Sequence, residues 1–220
     1  MSIKIYGAML SPYVRKARLA LGFKGLEYET IPVIPLGDDQ PEEFKANSPL
    51  GKIPLAYIDD IWLPDSSVIL AYLERTRPDP ALLSDDPKLA ARALWFGEYM
   101  ASKMVPVVGG HLFAELILAP NLFNRESNWE EIELAKNVEI PEIFDYLETQ
   151  LESDFLVGDD FGHADLCVGG AFLTMRHCEV ACDASRWPKT AAYIKRVHAL
   201  PLFEQTFAEE MAFRSAMVGG

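Results

Sequence analysis

The sequence predicts an α/β domain at its amino-terminal end, followed by an all-helical domain. Strand-like and helix-like segments alternate over the first 78 residues, whereas residues beyond about Asp86 keep helical spacing with little strand signal. Between the two stretches, the segment Arg77-Pro78-Asp79-Pro80 is expected to stop a helix. We therefore predict domains at residues 1–78 and 87–220, joined by a linker at residues 79–86.

The first unit of the α/β domain is predicted to be a strand, a helix and a strand. Residues 3–6 have strand composition, and Ser11 and Pro12 supply a helix cap and a proline at the first helical position. Gly22 and Gly25 end this helix before β-type residues resume at 28–33. A helical crossover of this kind joins parallel strands.

The second unit is predicted to be two strands followed by a helix. After a short helix near residues 41–46, strands at 55–58 and 61–63 flank Asp59-Asp60, which is typical of a hairpin turn. A helix follows at residues 65–75, with two serines at its start. Together, the two units predict a mixed four-stranded sheet.

The helical domain begins with a long helical pattern that runs from Lys88 to Leu118. Pro106 and Gly109-Gly110 interrupt this pattern, because proline and glycine weaken a helix interior. We expect a kink or a break there.

The composition narrows the class of partner. The formal charge is −13, and residues 81–220 carry 22 acidic against 11 basic residues. Such a surface repels phosphate backbones and anionic lipid, so we expect no nucleic acid and no membrane as partners. No signal-peptide pattern opens the sequence and no segment is read as a membrane span, which indicates a cytoplasmic protein.

The three cysteines, Cys167, Cys178 and Cys182, are too few and too clustered for a disulfide framework. Cys178 and Cys182 stand one helical turn apart, but no second ligand pair accompanies them, so ordinary helix packing is favoured over a zinc site. We expect no metal. No cysteine occurs in residues 1–80, which argues against disulfide exchange in the first domain.

Five short motifs carry a resemblance to a known family. They are Ser11-Pro12-Tyr13-Val14-Arg15, the segment NSPLGKIP at residues 47–54, Asp65-Ser66, Phe155-Leu156-Val157-Gly158 and Ala164-Asp165. Together they resemble the cytosolic glutathione transferases of the serine-using branch. The resemblance implies a thioredoxin-like domain built as βαβ-ββα, an all-α carboxyl-terminal domain, a homodimer, and glutathione as co-substrate in detoxification.

One position departs from the family pattern in the second domain. The family usually places Ser or Thr three residues before the Asp of its buried helix, where this sequence has Gly162. Glycine caps a helix almost as well, but it offers no side-chain hydrogen bond.

Ser11 is the residue to which the resemblance assigns catalysis. Its hydroxyl would donate a hydrogen bond to the glutathione thiolate, at the positive end of the helix that begins at Pro12. From the residues alone, a plain helix cap is an equal alternative. Tyr6 is the rival donor, expected instead to pack, and Arg15 either adds positive potential near the sulfur or is solvated.

The resemblance also assigns the residues that bind the rest of glutathione. Pro54 resembles the family's cis-proline, which would turn the backbone of Ile53 toward the cysteinyl part; an ordinary trans-proline is the alternative. Asp65 and Ser66 would hold the γ-glutamyl end, or simply cap their helix. Gln40 or Lys52 would contact the glycine carboxylate, because Asp38 and Asp39 stand where relatives place basic or amide groups.

A pocket for the second substrate is expected between the domains. The expected lining residues are Met9, Leu10, Tyr13, Met104, Val108 and His111. Apolar residues at helical spacing are more often core than pocket, and His111 has the alternative of being a satisfied structural histidine.

The favoured function is therefore transfer of the glutathione sulfur to a hydrophobic electrophile. Peroxidase, dehalogenase or isomerase chemistry would use the same thiolate. A non-catalytic binding or scaffold protein that retains the fold is the alternative from another class.

Overall fold

The computed structural model describes residues 2–35 and 39–218 of the chain. It divides into two compact units, Met1–Leu82 and Leu83–Gly220. The division falls inside the stretch that the sequence predicts to be a linker.

The amino-terminal unit is built on one four-stranded sheet. The strands are β1 (Ile3–Gly7), β2 (Tyr28–Pro32), β3 (Leu55–Ile58) and β4 (Ile61–Pro64). Their order is β2-β1-β3-β4, with β1 parallel to β2 and antiparallel to β3, and with β3 antiparallel to β4. The predicted mixed sheet and its parallel βαβ unit are confirmed.

Three helices accompany this sheet, namely α1 (Pro12–Phe23), α2 (Glu42–Asn47) and α3 (Ser66–Thr76). The hairpin between β3 and β4 turns through Asp59 and Asp60, whose φ angles of 50° and 64° are those of the left-handed region. Arg77, just past α3, donates from Nη2 to Asp59 Oδ1 at 2.7 Å. This ion pair fastens the end of α3 to the hairpin turn.

The helical unit contains seven α-helices and two π-helical segments among its described residues. The α-helices are α4 (Pro87–Tyr99), α5 (Ala119–Asn121), α6 (Trp129–Leu134), α7 (Ile140–Gln150), α8 (His163–His177), α9 (Pro188–His198) and α10 (Pro201–Val218), and the π-helical segments are Met100–Leu118 and Ala135–Glu139. In α8, all residues except Arg176 are buried, so this helix forms the centre of the unit.

Of the kink or break expected near Pro106, the break is wrong, and the kink stays a prediction. The chain stays helical from Pro87 to Asn121, and its hydrogen bonding changes to the π pattern at Met100, six residues before the proline. Proline is excluded from an α-helix because its ring clashes with the carbonyl four residues earlier and it lacks an N–H. Pro106 has no N–H for a π-type bond either, yet the π-helical segment continues through it from Met100 to Leu118.

The expectation that no segment has the character of a membrane span also needs correction. The helix from Pro87 to Asn121 is long and apolar enough to cross a membrane by length and composition alone. A core helix of a folded bundle passes the same test. Eight residues of its π-helical part are buried, among them Met104, Val108 and Leu112.

Candidate functional site

Ser11 lies at the amino-terminal end of α1, as its N-cap residue. Its Oγ accepts a long hydrogen bond of 3.4 Å from the backbone N–H of Val14. This bond uses one lone pair of the hydroxyl and leaves its O–H free to donate. Among the described residues, nothing accepts a hydrogen bond from that O–H. Capping and donation to a ligand are therefore compatible at this position.

The turn from β1 into α1 brings backbone and side chain unusually close. A Cβ placed on Gly7, the last residue of β1, would collide with the side chain of Val14 in the first turn of α1. Only glycine allows this approach, which fixes where the amino-terminal end of α1 lies relative to the sheet. Ser11 stands on this turn, and its backbone N–H donates to Ala8 O at 3.0 Å.

Pro54 and Asp65 stand side by side at the start of β3 and the end of β4. The Ile53–Pro54 peptide bond is cis. The backbone N–H of Asp65 donates to Pro54 O at 3.3 Å. Ile53 is half-buried and packs on the apolar cluster of Tyr6, Val33, Phe44 and Leu55. Two of the candidate binding elements are thus joined directly through the backbone.

Asp65 also caps α3. Its φ of 84° is a conformation that L-residues rarely adopt and that is often found at functional sites. Its Oδ1 accepts from the backbone N–H of Ser67 at 2.6 Å. Ser66, the first residue of α3, is buried. The structure therefore brings Pro54, Asp65 and Ser66 together as the sequence predicts, although their role toward a ligand stays a prediction.

Gln40 and Lys52, which are predicted to bind the glycine carboxylate of glutathione, differ in whether their hydrogen-bond donors are already used. The Gln40 amide nitrogen already donates to Pro35 O at 2.8 Å and to Ile34 O at 3.2 Å, which uses both of its hydrogens. Lys52 is exposed and has no hydrogen-bond partner for its side chain within the described ranges. Lys52 is thus the better candidate. Asp39 is exposed, while Gly37 and Asp38 of the predicted acidic loop lie outside the described residues.

Tyr6, the rival donor, is packed. It is 4% exposed, and its ring lies 5.5 Å from that of Trp62. Burial, and after it the nearby carboxylates of Glu43 and Glu29, raise the pKa of its hydroxyl above the usual 10.0. A tyrosine in this setting is a core residue of the sheet.

The basic residues of α1 are buried, which their sequence pattern does not indicate. Residues 14–21 are all buried, including Arg15, Lys16 and Arg18, so the solvated alternative for Arg15 is wrong. The apolar spacing of Val14, Ala17 and Leu21 marks a single buried face, and the charged residues lie off it. No sequence signal would have identified Lys16, whose Nζ donates to Ser67 Oγ at 2.9 Å.

The residues predicted for the second-substrate pocket fall in both units. Met9 and Tyr13 are half-buried and Leu10 is buried in the amino-terminal unit. In the helical unit, Met104 and Val108 are fully buried. His111 Nδ1 lies 2.6 Å from Glu139 Oε2, the arrangement of a satisfied structural histidine. That these six residues form a pocket stays a prediction.

The cysteines are not placed for metal or thiolate chemistry. Burial raises the pKa of the Cys178 and Cys182 thiols to about 12, which keeps both protonated at neutral pH. Among residues 2–35 and 39–218, no group of three or more His, Cys, Asp or Glu side chains is arranged to hold a metal ion.

Comparison with known proteins gives the family of the chain. The family model for the glutathione S-transferase N-terminal domain matches residues 5–81, and that for the glutathione S-transferase C-terminal domain matches residues 113–201. A maize (Zea mays) glutathione S-transferase 4 is 31% identical over 205 residues, which are 91% of this chain and 83% of that protein.

Two further relatives bear on chemistry and fold. The mouse (Mus musculus) maleylacetoacetate isomerase is 28% identical over 206 residues, which are 91% of this chain and 89% of the isomerase. A glutathione S-transferase from Methylobacterium radiotolerans, solved in complex with glutathione sulfonate, is 25% identical with a TM-score of 0.74. The alignment covers 94% of this chain and 95% of that one. With both domain models matched in order and a full-length relative above 30% identity, the chain belongs to the glutathione S-transferase family.

Proposed function

We propose that this enzyme activates glutathione through Ser11 and adds its sulfur to a hydrophobic electrophile. The observation that carries the proposal is the O–H of Ser11 at the amino-terminal end of α1, from which no described residue accepts a hydrogen bond. A free cysteine thiol has a pKa of about 8.5, so at neutral pH most of it is the unreactive protonated form. A hydrogen-bond donor beside the positive end of a helix stabilises the thiolate and lowers that pKa.

With the glutathione sulfur at Ser11, the other parts of glutathione contact the remaining candidate residues. The γ-glutamyl carboxylate is held at the amino-terminal end of α3 by Ser66, and the γ-glutamyl ammonium by Asp65. The backbone of Ile53, before cis-Pro54, pairs with the cysteinyl part as an added strand would. Lys52 binds the glycine carboxylate, since Gln40 has no amide hydrogen left to donate.

The reaction itself needs only the thiolate and the electrophile. The thiol proton passes to solvent, the thiolate electron pair forms a carbon–sulfur bond, and the leaving group departs with the electron pair of the bond that joined it to that carbon. Ser11 keeps its proton throughout, so it acts as a donor to the anion and not as a base. We also propose that the enzyme works as a cytoplasmic homodimer, as is typical of the family.

Isomerisation is the second candidate function, favoured by the similarity to mouse maleylacetoacetate isomerase over most of both chains. The two activities differ in what happens to glutathione. Conjugation consumes one glutathione for each product, whereas an isomerase that adds and later expels the thiolate returns it. Supplying maleylacetoacetate with a substoichiometric amount of glutathione separates them, since only isomerisation runs to completion.

Steady-state conjugation of glutathione to 1-chloro-2,4-dinitrobenzene tests the role of Ser11. Replacing one donor to a developing or bound anion typically costs about 100-fold in rate, so we expect Ser11→Ala to lower kcat/KM by about that factor. Tyr6→Phe is the matched control, which removes the rival hydroxyl and should leave the rate near wild type. If Tyr6→Phe lowers kcat/KM and Ser11→Ala does not, the tyrosine activates the glutathione thiol and the proposal is overturned.

A further inference from the structure

A buried lysine lies beneath the first turn of α3. Lys16 is 2% exposed, and its Nζ donates to Ser67 Oγ at 2.9 Å. An ammonium has three N–H donors, and Ser67 Oγ is the one acceptor that Lys16 has among the residues described here. No carboxylate in the described ranges forms an ion pair with it. Lys16 is therefore a buried cation that forms no ion pair with any carboxylate of residues 2–35 and 39–218.

Such a cation is costly unless something compensates it. Moving an ammonium out of water is unfavourable, and buried charges are normally paired. Another buried lysine of this chain shows the usual solution. Lys24, at the end of α1, donates to Glu74 Oε2 at 2.8 Å, to Arg77 O at 2.7 Å and to Pro80 O at 2.9 Å. Lys16 lies within α1 and Lys24 directly follows it, but Lys24 has three hydrogen-bond acceptors whereas Lys16 has one among the described residues.

The place to which Lys16 is directed is also favourable for an anion. Ser67 is the second residue of α3, next to Ser66 and to the N-cap residue Asp65. The first N–H groups of a helix and its dipole attract negative charge, and α3 has 11 residues. Asp65 is exposed and directs its Oδ1 to the Ser67 N–H. The amino-terminal end of α3 and the ammonium of Lys16 therefore both attract an anion to the same place.

We infer that Lys16 is the positioning and charge-supplying residue that selects glutathione by the free α-carboxylate of its γ-glutamyl group. This inference rests on the proposed function, because it takes that carboxylate to bind at α3. Lys16 holds Ser67 in the first turn of the helix and adds a full positive charge behind it. The bound carboxylate in turn compensates the ammonium, so glutathione supplies an anionic partner that no described residue provides.

The test compares two ligands that differ only in this carboxylate. One is S-methylglutathione, and the other is its analogue with a 4-aminobutanoyl group in place of the γ-glutamyl group. The methylated sulfur removes any effect of thiol ionisation, so the comparison does not involve Ser11. Calorimetric titration gives the ratio of the two dissociation constants for wild type, Lys16→Met and Lys16→Arg.

We expect wild type to prefer S-methylglutathione, and Lys16→Met to reduce that preference by about fivefold or more, as for loss of a charge-assisted contact. Lys16→Arg, which keeps the charge, should restore much of it. Lys24→Met is the matched control. It removes the other buried lysine, directly after α1, and should lower stability while leaving the preference unchanged.

The possible results are separable. If Lys16→Met weakens both ligands equally, Lys16 is only structural and the inference fails. If wild type itself binds both ligands equally, the inference fails without any variant, which covers the case in which Lys16→Met does not fold. If wild type binds neither ligand at millimolar concentration, the proposed glutathione site fails first.

Discussion

Asp165 shows how one buried carboxylate organises the start of the central helix of the second unit. Its two oxygens accept from the backbone N–H groups of Leu156 at 2.9 Å and Gly162 at 3.0 Å. Gly162, which has no side chain to cap α8, is thus held by the carboxylate three residues later. In a capping box, the N-cap side chain and the side chain three residues later each bond the other's backbone N–H. Gly162 lacks the first of these bonds, and Asp165 supplies the second.

Burial raises the pKa of Asp165 from 3.8 to about 6, although both amide hydrogen bonds lower it. The pKa of Asp165 is higher in the folded protein than in the unfolded chain. Its contribution to the free energy of unfolding is therefore fully present below about pH 4 and is lost as pH rises through about 6. The loss is at most about 3 kcal/mol.

We therefore expect the stability advantage of wild type over Asp165→Asn to shrink between pH 4 and pH 7, because asparagine does not titrate. Urea unfolding at several pH values measures this difference. Asp160→Asn, at an exposed position, controls for the lost charge. A difference that stays constant with pH would show that burial does not shift this group.

At the residue scale, the sequence identified positions whose signal is local. The Ser-Pro pair at residues 11 and 12 predicts both the cap and the first helical residue, and the structure has both. Lys16 was not found, because its burial depends on neighbours that are distant in the sequence. The engagement of Gln40 by the carbonyls of Ile34 and Pro35 was likewise missed, since it depends on how the loop folds back.

At the scale of elements, α8 and α9 pack closely at Gly169. A Cβ at Gly169 would lie 2.5 Å from Val197 Cγ1 and 3.1 Å from Phe203 Cε1. Neither neighbour can withdraw easily, as Val197 and Phe203 are fully buried. The absence of a side chain at this position allows α9, which carries Val197, and α10, which carries Phe203, to approach α8.

Gly169→Ala should therefore destabilise the protein by about 1 to 3 kcal/mol through overpacking. Gly110→Ala is the matched control, since it also lies within a helix but is exposed and has no atom within 4 Å of its added Cβ. It should be neutral, or stabilising by up to about 1 kcal/mol. Thermal unfolding of both variants makes the comparison, and equal effects would contradict this account of the packing.

The strands and most helices were predictable because each carries its own start or stop signal. The π-helical segment Met100–Leu118 was not, because nothing in the local pattern distinguishes π from α hydrogen bonding. Glu115 lies on this segment and binds Arg125 and the backbone N–H of Asn128, at 2.8 Å for the latter. These bonds hold the loop that contains Arg125 and Asn128 against the helix. They also lower the pKa of Glu115 to about 2.

At the scale of the whole molecule, the two units differ in charge. The described structure of the amino-terminal unit holds every residue proposed to bind glutathione, and this unit carries little of the net charge. The helical unit carries most of the acidity. The fold class was predictable from the order of strand and helix signals. The electrophile was not, because specificity depends on pocket shape.

The central claim is that Ser11 stabilises the thiolate of bound glutathione. It is tested most directly by following the ultraviolet absorbance of the thiolate against pH for glutathione bound to wild type and to Ser11→Ala. We predict that wild type lowers the thiol pKa by at least about one unit from the free value near 8.5, and that Ser11→Ala loses most of this shift while still binding. An equal shift in both proteins would contradict the claim.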